Sequence, residues 1–257
     1  MAQLRDRAAI RALLSTDRAW SVYALGDLAP GFFEHCVWFM SETQPPALAM
    51  LFRGFRVPIL FTLGPAASIA PLLDEIAAAP SVYLHVRPEI VPVLQKRYHI
   101  PHPKPMWRMV LELPNFHPAP TAGVSRLVGA DLPALNELYA DGKAAGEVPE
   151  FFFASMLEQG AFFGIHEKKD LIAVAGTHLV APAENVAAVG NIYTRRDRRG
   201  LGLAAQVTTA VVNELLRIGI EIVALNVNQE NSAAIKVYER LGFARYGEFI
   251  EGAASRS

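Results

Sequence analysis

The stretch Asn191-Ile-Tyr-Thr-Arg-Arg-Asp-Arg-Arg-Gly-Leu-Gly-Leu-Ala204 passes from a strand-like segment through a basic, glycine-rich turn into the start of a helix. Upstream, Val186 to Tyr193 reads as a strand. Downstream, Leu203, Val207, Val211 and Leu215 recur at helical spacing over Leu203 to Arg217, and Gly219 ends that helix. A helix N-terminus presents unpaired backbone N–H groups and the positive end of the macrodipole. Glycines just ahead of it let a phosphate chain come close to the backbone, and Arg198 and Arg199 add mobile positive charge. A tight strand-to-helix connection explains the same glycines without any ligand. The turn lacks the third glycine of the dinucleotide fingerprint and has no Gly-Lys-Ser/Thr, so a different phosphate-bearing cofactor is the functional alternative.

On the N-terminal side of this turn lie a strand at Val124 to Leu127, a helix at Ala130 to Tyr139, and strands at Ala161 to His166 and Leu171 to Val180. With Val186 to Tyr193 the last two make three strands in hairpin order. Beyond the helix come a buried-type strand, Ile220 to Val227, and a last helix, Ser232 to Leu241, capped by Asn231 and closed by Gly242. The first half of the chain reads as a small α/β layer. Its helices are expected at Arg5 to Leu14 and Ile69 to Ala78, and its strands at Cys36 to Met40, Ala47 to Phe52, Val57 to Thr62 and Val82 to Val86. Prolines at 101, 103, 105, 114, 118 and 120 surround one strand-like run, Trp107 to Leu113, and mark the junction. The expected division is 1–112 and 121–257.

Composition narrows the partners. Lys plus Arg number 24 against 25 Asp plus Glu in 257 residues, with no long block of one sign, so nothing favours nucleic acid or an anionic membrane surface. A small molecule or a peptide is the expected partner. One cysteine, Cys36, excludes an intramolecular disulfide and a cysteine-rich metal site, and no metal is expected. The opening MAQLRDRAAI carries charges where a signal peptide needs an apolar core, and apolar runs stop short of the ~18 residues that span a bilayer. A cytoplasmic protein is the expectation.

Arg199-Gly-Leu-Gly-Leu-Ala204 resembles the Arg/Gln-x-x-Gly-x-Gly/Ala loop of the GNAT superfamily of N-acyltransferases. A second match follows in order. Asn231-Ser-Ala-Ala-Ile-Lys-Val-Tyr238-Glu-Arg-Leu-Gly-Phe243 is similar to the family's Asn-x-x-Ala-x-x-x-Tyr-x-x-x-Gly-Phe helix, and the resemblance covers roughly 121–247. It implies a GNAT-type α/β fold, a mixed and largely antiparallel sheet flanked by helices, preceded by a smaller α/β domain for which a degenerate GNAT-like half is one reading. It also implies that acetyl-CoA, or another acyl-CoA, is the co-substrate. Its pyrophosphate would rest on Arg199, Gly200, Leu201, Gly202, Leu203 and Ala204. The pantetheine arm and the oxyanion would meet the backbone of Ile192, Tyr193 and Thr194, with Asn231 on the arm's other side, although helix capping alone also accounts for Asn231.

By the same resemblance Tyr238 is the general acid that protonates the departing thiolate; a core aromatic beside Ala234 and Leu241 is its bland alternative. Many relatives carry a carboxylate on the fourth strand, whereas this chain has Asn191 there. His178, which titrates near neutral pH, is the candidate base, against a structural histidine. Glu147 and Glu150 border the expected substrate loop, with an ordinary surface-loop role as the favoured alternative for both. Trp20, Tyr23, Leu25 and Asp27 are placed near the acceptor, with packing as the competing role for the two aromatics. The activity implied is transfer of an acetyl or other short acyl group to a primary amine of a small molecule or peptide. The alternative is a CoA-binding regulatory module without turnover.

Overall fold

The computed structural model describes residues 4–76, 79–143, 145–147, 149 and 152–256. The chain divides into two compact units, residues 1–108 with 227–230 and 246–257, and residues 109–226 with 231–245.

In the first unit the elements are α1 (Arg7–Leu14), α2 (Val22–Gly26), β1 (Cys36–Met40), β2 (Leu48–Phe52), β3 (Ile59–Leu63), α3 (Ala66–Ile76), β4 (Ser81–Val86), α4 (Val91–Leu94) and β5 (Tyr98–His99), followed by the start of β6 (Lys104–Leu111). Strands β1, β2 and β3 pair antiparallel in sequence order. Then α3 carries the chain over so that β4 runs parallel to β3, the connection a parallel pair requires. Leu60, Leu84, Ile69, Leu72, Leu73 and Ile76 close a core between sheet and helix. The expected helix at Ile69 to Ala78 thus begins earlier; residues 77 and 78 lie outside the described ones.

The second unit contains the rest of β6, then β7 (Val124–Arg126), α5 (Leu132–Lys143), α6 (Met156–Gln159), β8 (Phe163–Glu167), β9 (Asp170–Ala181), β10 (Val186–Thr194), α7 (Leu203–Arg217), β11 (Ile222–Asn228) and α8 (Ser232–Leu241). Strands β7 to β10 form an antiparallel meander, and α7 crosses over to place β11 parallel to β10. Leu135, Leu138, Tyr139, Phe162, Val174 and Tyr193 pack its core on the α5 side. Val207, Val211 and Leu215 are fully buried, as the helical spacing of α7 requires. The two units therefore repeat one plan, three antiparallel strands (β1 to β3, and β8 to β10), a helix and a parallel strand.

The last strand departs from the sequence expectation. Strand β12 (Phe243–Arg256) has no place in the reading of a continuous second domain at 121–257; its residues from Tyr246 onward return to the first unit and pair antiparallel with β4. Pairing at such sequence distance leaves no local signal. Among the described residues no helix is long and apolar enough to cross a membrane.

Candidate active site

Strand β10 follows β11 only over Val186 to Val189, opposite Ile222 to Leu225, and from Gly190 onward it has no register partner there. It stays with β9 as far as Thr194. The backbone of Ile192 to Thr194 thus has a strand on one side only. Two irregularities shape this edge. On β9, Thr177 and Leu179 face the consecutive residues Val189 and Ala188, so His178 is the extra residue of a bulge. Its ring lies against Gly190, where a Cβ would come within 2.4 Å of the imidazole. On β10 neither Asn191 nor Ile192 has a partner in the register, and Asn191 takes the left-handed conformation at φ 53. The Tyr139 hydroxyl donates to the Asn191 carbonyl at 2.9 Å. Asn191 is buried, and its Nδ2 makes long contacts to the Thr177 carbonyl, 3.5 Å, and the Met156 sulfur, 3.6 Å. The carboxamide standing in the carboxylate's place is thus loosely held, and its buried Oδ1 has no hydrogen-bond partner among the described residues.

The turn after β10 is braced by α5. Asp141 Oδ2 accepts from the Tyr193 hydroxyl at 2.9 Å and from the Arg196 backbone N–H at 3.0 Å. The adjoining Gly142 makes room, since a Cβ there would meet the Tyr193 ring at 2.9 Å. The turn's arginines are not mobile charges, contrary to the sequence expectation. Arg198 pairs with Glu167 at 2.6 Å and Arg199 with Glu147 at 2.5 Å, while Arg199 Nε donates to the Thr194 carbonyl at 3.3 Å. Carboxylates within reach on β8 and the α5–α6 loop draw them in. Such half-exposed pairs contribute little, ~0.2–1 kcal/mol, so a phosphate can compete for Arg199. Glu147 is thus an ion-pair partner of the turn, and Glu150 lies outside the described residues.

Past Arg199 the backbone opens. Gly200 and Gly202 both sit in the left-handed region, at φ 79 and 76, and a Cβ on either would meet nothing within 4 Å. These are glycines for conformation, not for close packing. Gly202 caps α7, whose first backbone hydrogen bond is Gln206 N–H to the Gly202 carbonyl at 3.2 Å. The amides of Leu203, Ala204 and Ala205 precede that bond and point out of the helix end. Leu201 is exposed. This cradle of N–H groups fits a pyrophosphate.

On α8, Asn231 caps the helix through its Oδ1, which accepts from Ala234 N–H at 3.1 Å. Ile235, Tyr238 and Leu241 form its buried face. The Tyr238 ring meets Phe243 edge-on at 6.2 Å, and among the described residues its hydroxyl has no hydrogen-bond partner. Burial raises its pKa, so the phenol stays protonated at neutral pH and remains a donor. Tyr139, Asp141, Gly142 and Gly190 escaped the sequence reading. None belongs to a motif, and only the fold brings them to β10.

The first unit repeats the strand plan without the cradle. Its β3–β4 ladder ends at Phe61 and His85, and the next carbonyl, Thr62, accepts from the Trp20 indole at 2.9 Å. Pro65, with no N–H, precedes α3. Trp20 is buried in this unit's core, the packing role weighed for it and Tyr23 from sequence, and Leu25 is buried as well.

Comparison with known proteins agrees with this plan. The model of the acetyltransferase (GNAT) family matches residues 132–243. An N-alpha-acetyltransferase 30 of Schizosaccharomyces pombe is 30% identical over 124 residues, 48% of this chain and 77% of that protein. The chain belongs to the GNAT acetyltransferase family. A mycothiol acetyltransferase of Geodermatophilus obscurus is 39% identical over 66 residues, 24% of this chain, and the match spans only 21% of that relative. At the level of fold the likeness extends to a tandem GNAT protein from the clavulanic acid biosynthesis pathway, with TM-score 0.56 and 16% identity over 99% of this chain and 97% of the other. The GNAT family match ends at Phe243, where β12 begins.

Proposed function

We infer that the chain transfers an acetyl or other short acyl group from acyl-CoA to a primary amine of a small molecule or peptide. The observation that carries this reading is the succession of a strand edge released from β11, a turn with two left-handed glycines, and an open helix N-terminus. Pyrophosphate rests on the amides from Leu201 to Ala204, with Arg199 released from Glu147 to join it. The amide-rich pantetheine arm adds itself to the free edge of β10 at Ile192 to Thr194, as a strand would, with Asn231 near its other side. The neutral amine attacks the thioester carbonyl, a C–N bond forms, and the oxyanion is met by a backbone N–H of this edge. When the C–S bond breaks, Tyr238 donates its proton to the sulfur.

His178, at the bulge beside Gly190, takes the proton from the attacking nitrogen directly or through water. The relatives' names, mycothiol acetyltransferase and N-alpha-acetyltransferase 30, support an amine acceptor. Calorimetric titration with acetyl-CoA, followed by a thiol-release screen over amines and peptide N-termini, tests the reading. Absence of affinity up to millimolar acetyl-CoA defeats it. A second reading, a CoA-binding regulatory module, is favoured by Asn191 in place of a strand carboxylate; tight binding with no thiol release from any amine would select it.

A further inference from the structure

The peptide joining Asn191 to Ile192 is held by one side chain remote from every motif. A trans peptide is planar, and its C=O and N–H point in opposite directions. The Asn191 carbonyl is turned toward α5, where the Tyr139 hydroxyl donates to it at 2.9 Å in a buried setting. The Ile192 N–H is therefore aimed away from α5. Neither residue has a register partner on β9, and Asn191 sits at φ 53, so the ladder does not lock this peptide in place. Rotating ψ of Asn191 against φ of Ile192 would turn it over, sending the carbonyl where the N–H now points.

Tyr139 is well placed to prevent that. It is buried on the face of α5 with Leu135 and Leu138, and its ring is wedged edge-on between Phe152 at 5.3 Å and Tyr193 at 6.2 Å. We propose that Tyr139 is a positioning residue that fixes the Asn191–Ile192 peptide, so that the Ile192 N–H is the donor that polarises the thioester carbonyl and receives the oxyanion. The inference rests on the acyltransferase reading and deepens it, naming which backbone group does the work and which side chain holds it. Burial raises the phenol's pKa, which keeps the donor in place across the working pH range.

The test needs no acceptor. Isotope-edited infrared spectra of [1-13C]acetyl-CoA bound to the full chain report the thioester carbonyl directly. In the wild type this band lies below its value in free acetyl-CoA; in Tyr139→Phe it returns toward the free value while calorimetric affinity stays the same. An equal shift in the variant overturns the proposal, and so does loss of affinity in step with the shift, because the hydroxyl would then shape the whole site. Should Tyr139→Phe fail to fold, an amide-to-ester substitution at Ile192 keeps the Tyr139 side chain, removes the N–H and weakens the Asn191 carbonyl as the acceptor of the Tyr139 hydroxyl. The shift must then vanish, and its survival overturns the proposal. Wild-type protein that does not bind acetyl-CoA brings down the acyltransferase reading itself, an outcome distinct from binding without the Tyr139 effect.

Discussion

Substituting Gly202 separates geometry from charge in the phosphate cradle. Gly202 holds φ 76, and a Cβ there meets nothing within 4 Å, so Gly202→Ala carries a backbone penalty and no clash. An L-residue in the left-handed region costs roughly 1–2 kcal/mol. If the free loop escapes that strain by another conformation, binding must restore it, and acetyl-CoA affinity falls about 5- to 30-fold. Gly202→Glu adds a carboxylate at the cradle, and two like charges about 4 Å apart repel by roughly 1–4 kcal/mol at effective dielectric constants between 80 and 20. Its loss should therefore exceed that of Gly202→Ala by about tenfold or more. Titration calorimetry on both variants, with melting temperatures to confirm folding, reads the two effects apart. A Glu variant that binds like the wild type, or no more weakly than the Ala variant, would put the phosphates out of reach of position 202 and refute the cradle.

Tyr238→Phe keeps the edge contact with Phe243 and removes a hydroxyl that has no partner among the described residues, so the melting temperature should hold. Steady-state kinetics should show kcat down by about 10²-fold with acetyl-CoA affinity unchanged, and an unaltered kcat would return Tyr238 to core packing. Calorimetry should give one acetyl-CoA per chain, because Trp20 caps the Thr62 carbonyl and Pro65 lacks an N–H; a stoichiometry of two would contradict that. Two groups of the first unit give opposite pH slopes. Desolvation raises Asp27 from 3.8 to about 7, so the folded state holds the extra proton between those values and loses stability as pH rises through them. Asp27→Asn should melt higher than wild type at pH 8 and not at pH 4. His85 is depressed well below 6.5 by burial and by Arg108, whose guanidinium lies 2.7 Å from its Nε2. There the unfolded chain binds the proton first, stability falls as pH drops below 6.5, and His85→Gln should flatten that fall; an unchanged slope would exclude His85 as its source.

From residues alone, the extents of β1, α7 and α8 were legible to the residue, because each is bounded by turn or cap chemistry next to it in the chain. The same holds for the glycine turn. Its place between strand and helix is read from the residues, as is the Asn231 cap from its position before Ser232, whereas the left-handed backbone of Gly200 and Gly202 is seen only in the structure. Local sequence also marks Tyr238 as a member of the buried face of α8, since helical spacing decides which side chains share a face. What it does not contain is the partner of any strand or the charge facing any arginine. Arg198 and Arg199 read as free cations until β8 and the α5–α6 loop bring Glu167 and Glu147 to them. Strand β12 joins β4 across more than 150 residues, a pairing settled by burial of the whole sheet. The release of β10 from β11, the bulges at His178 and Asn191, and the clasp of Tyr139 and Asp141 are likewise tertiary facts. Register is a relation between strands, and a strand's own residues specify only which face they prefer to bury.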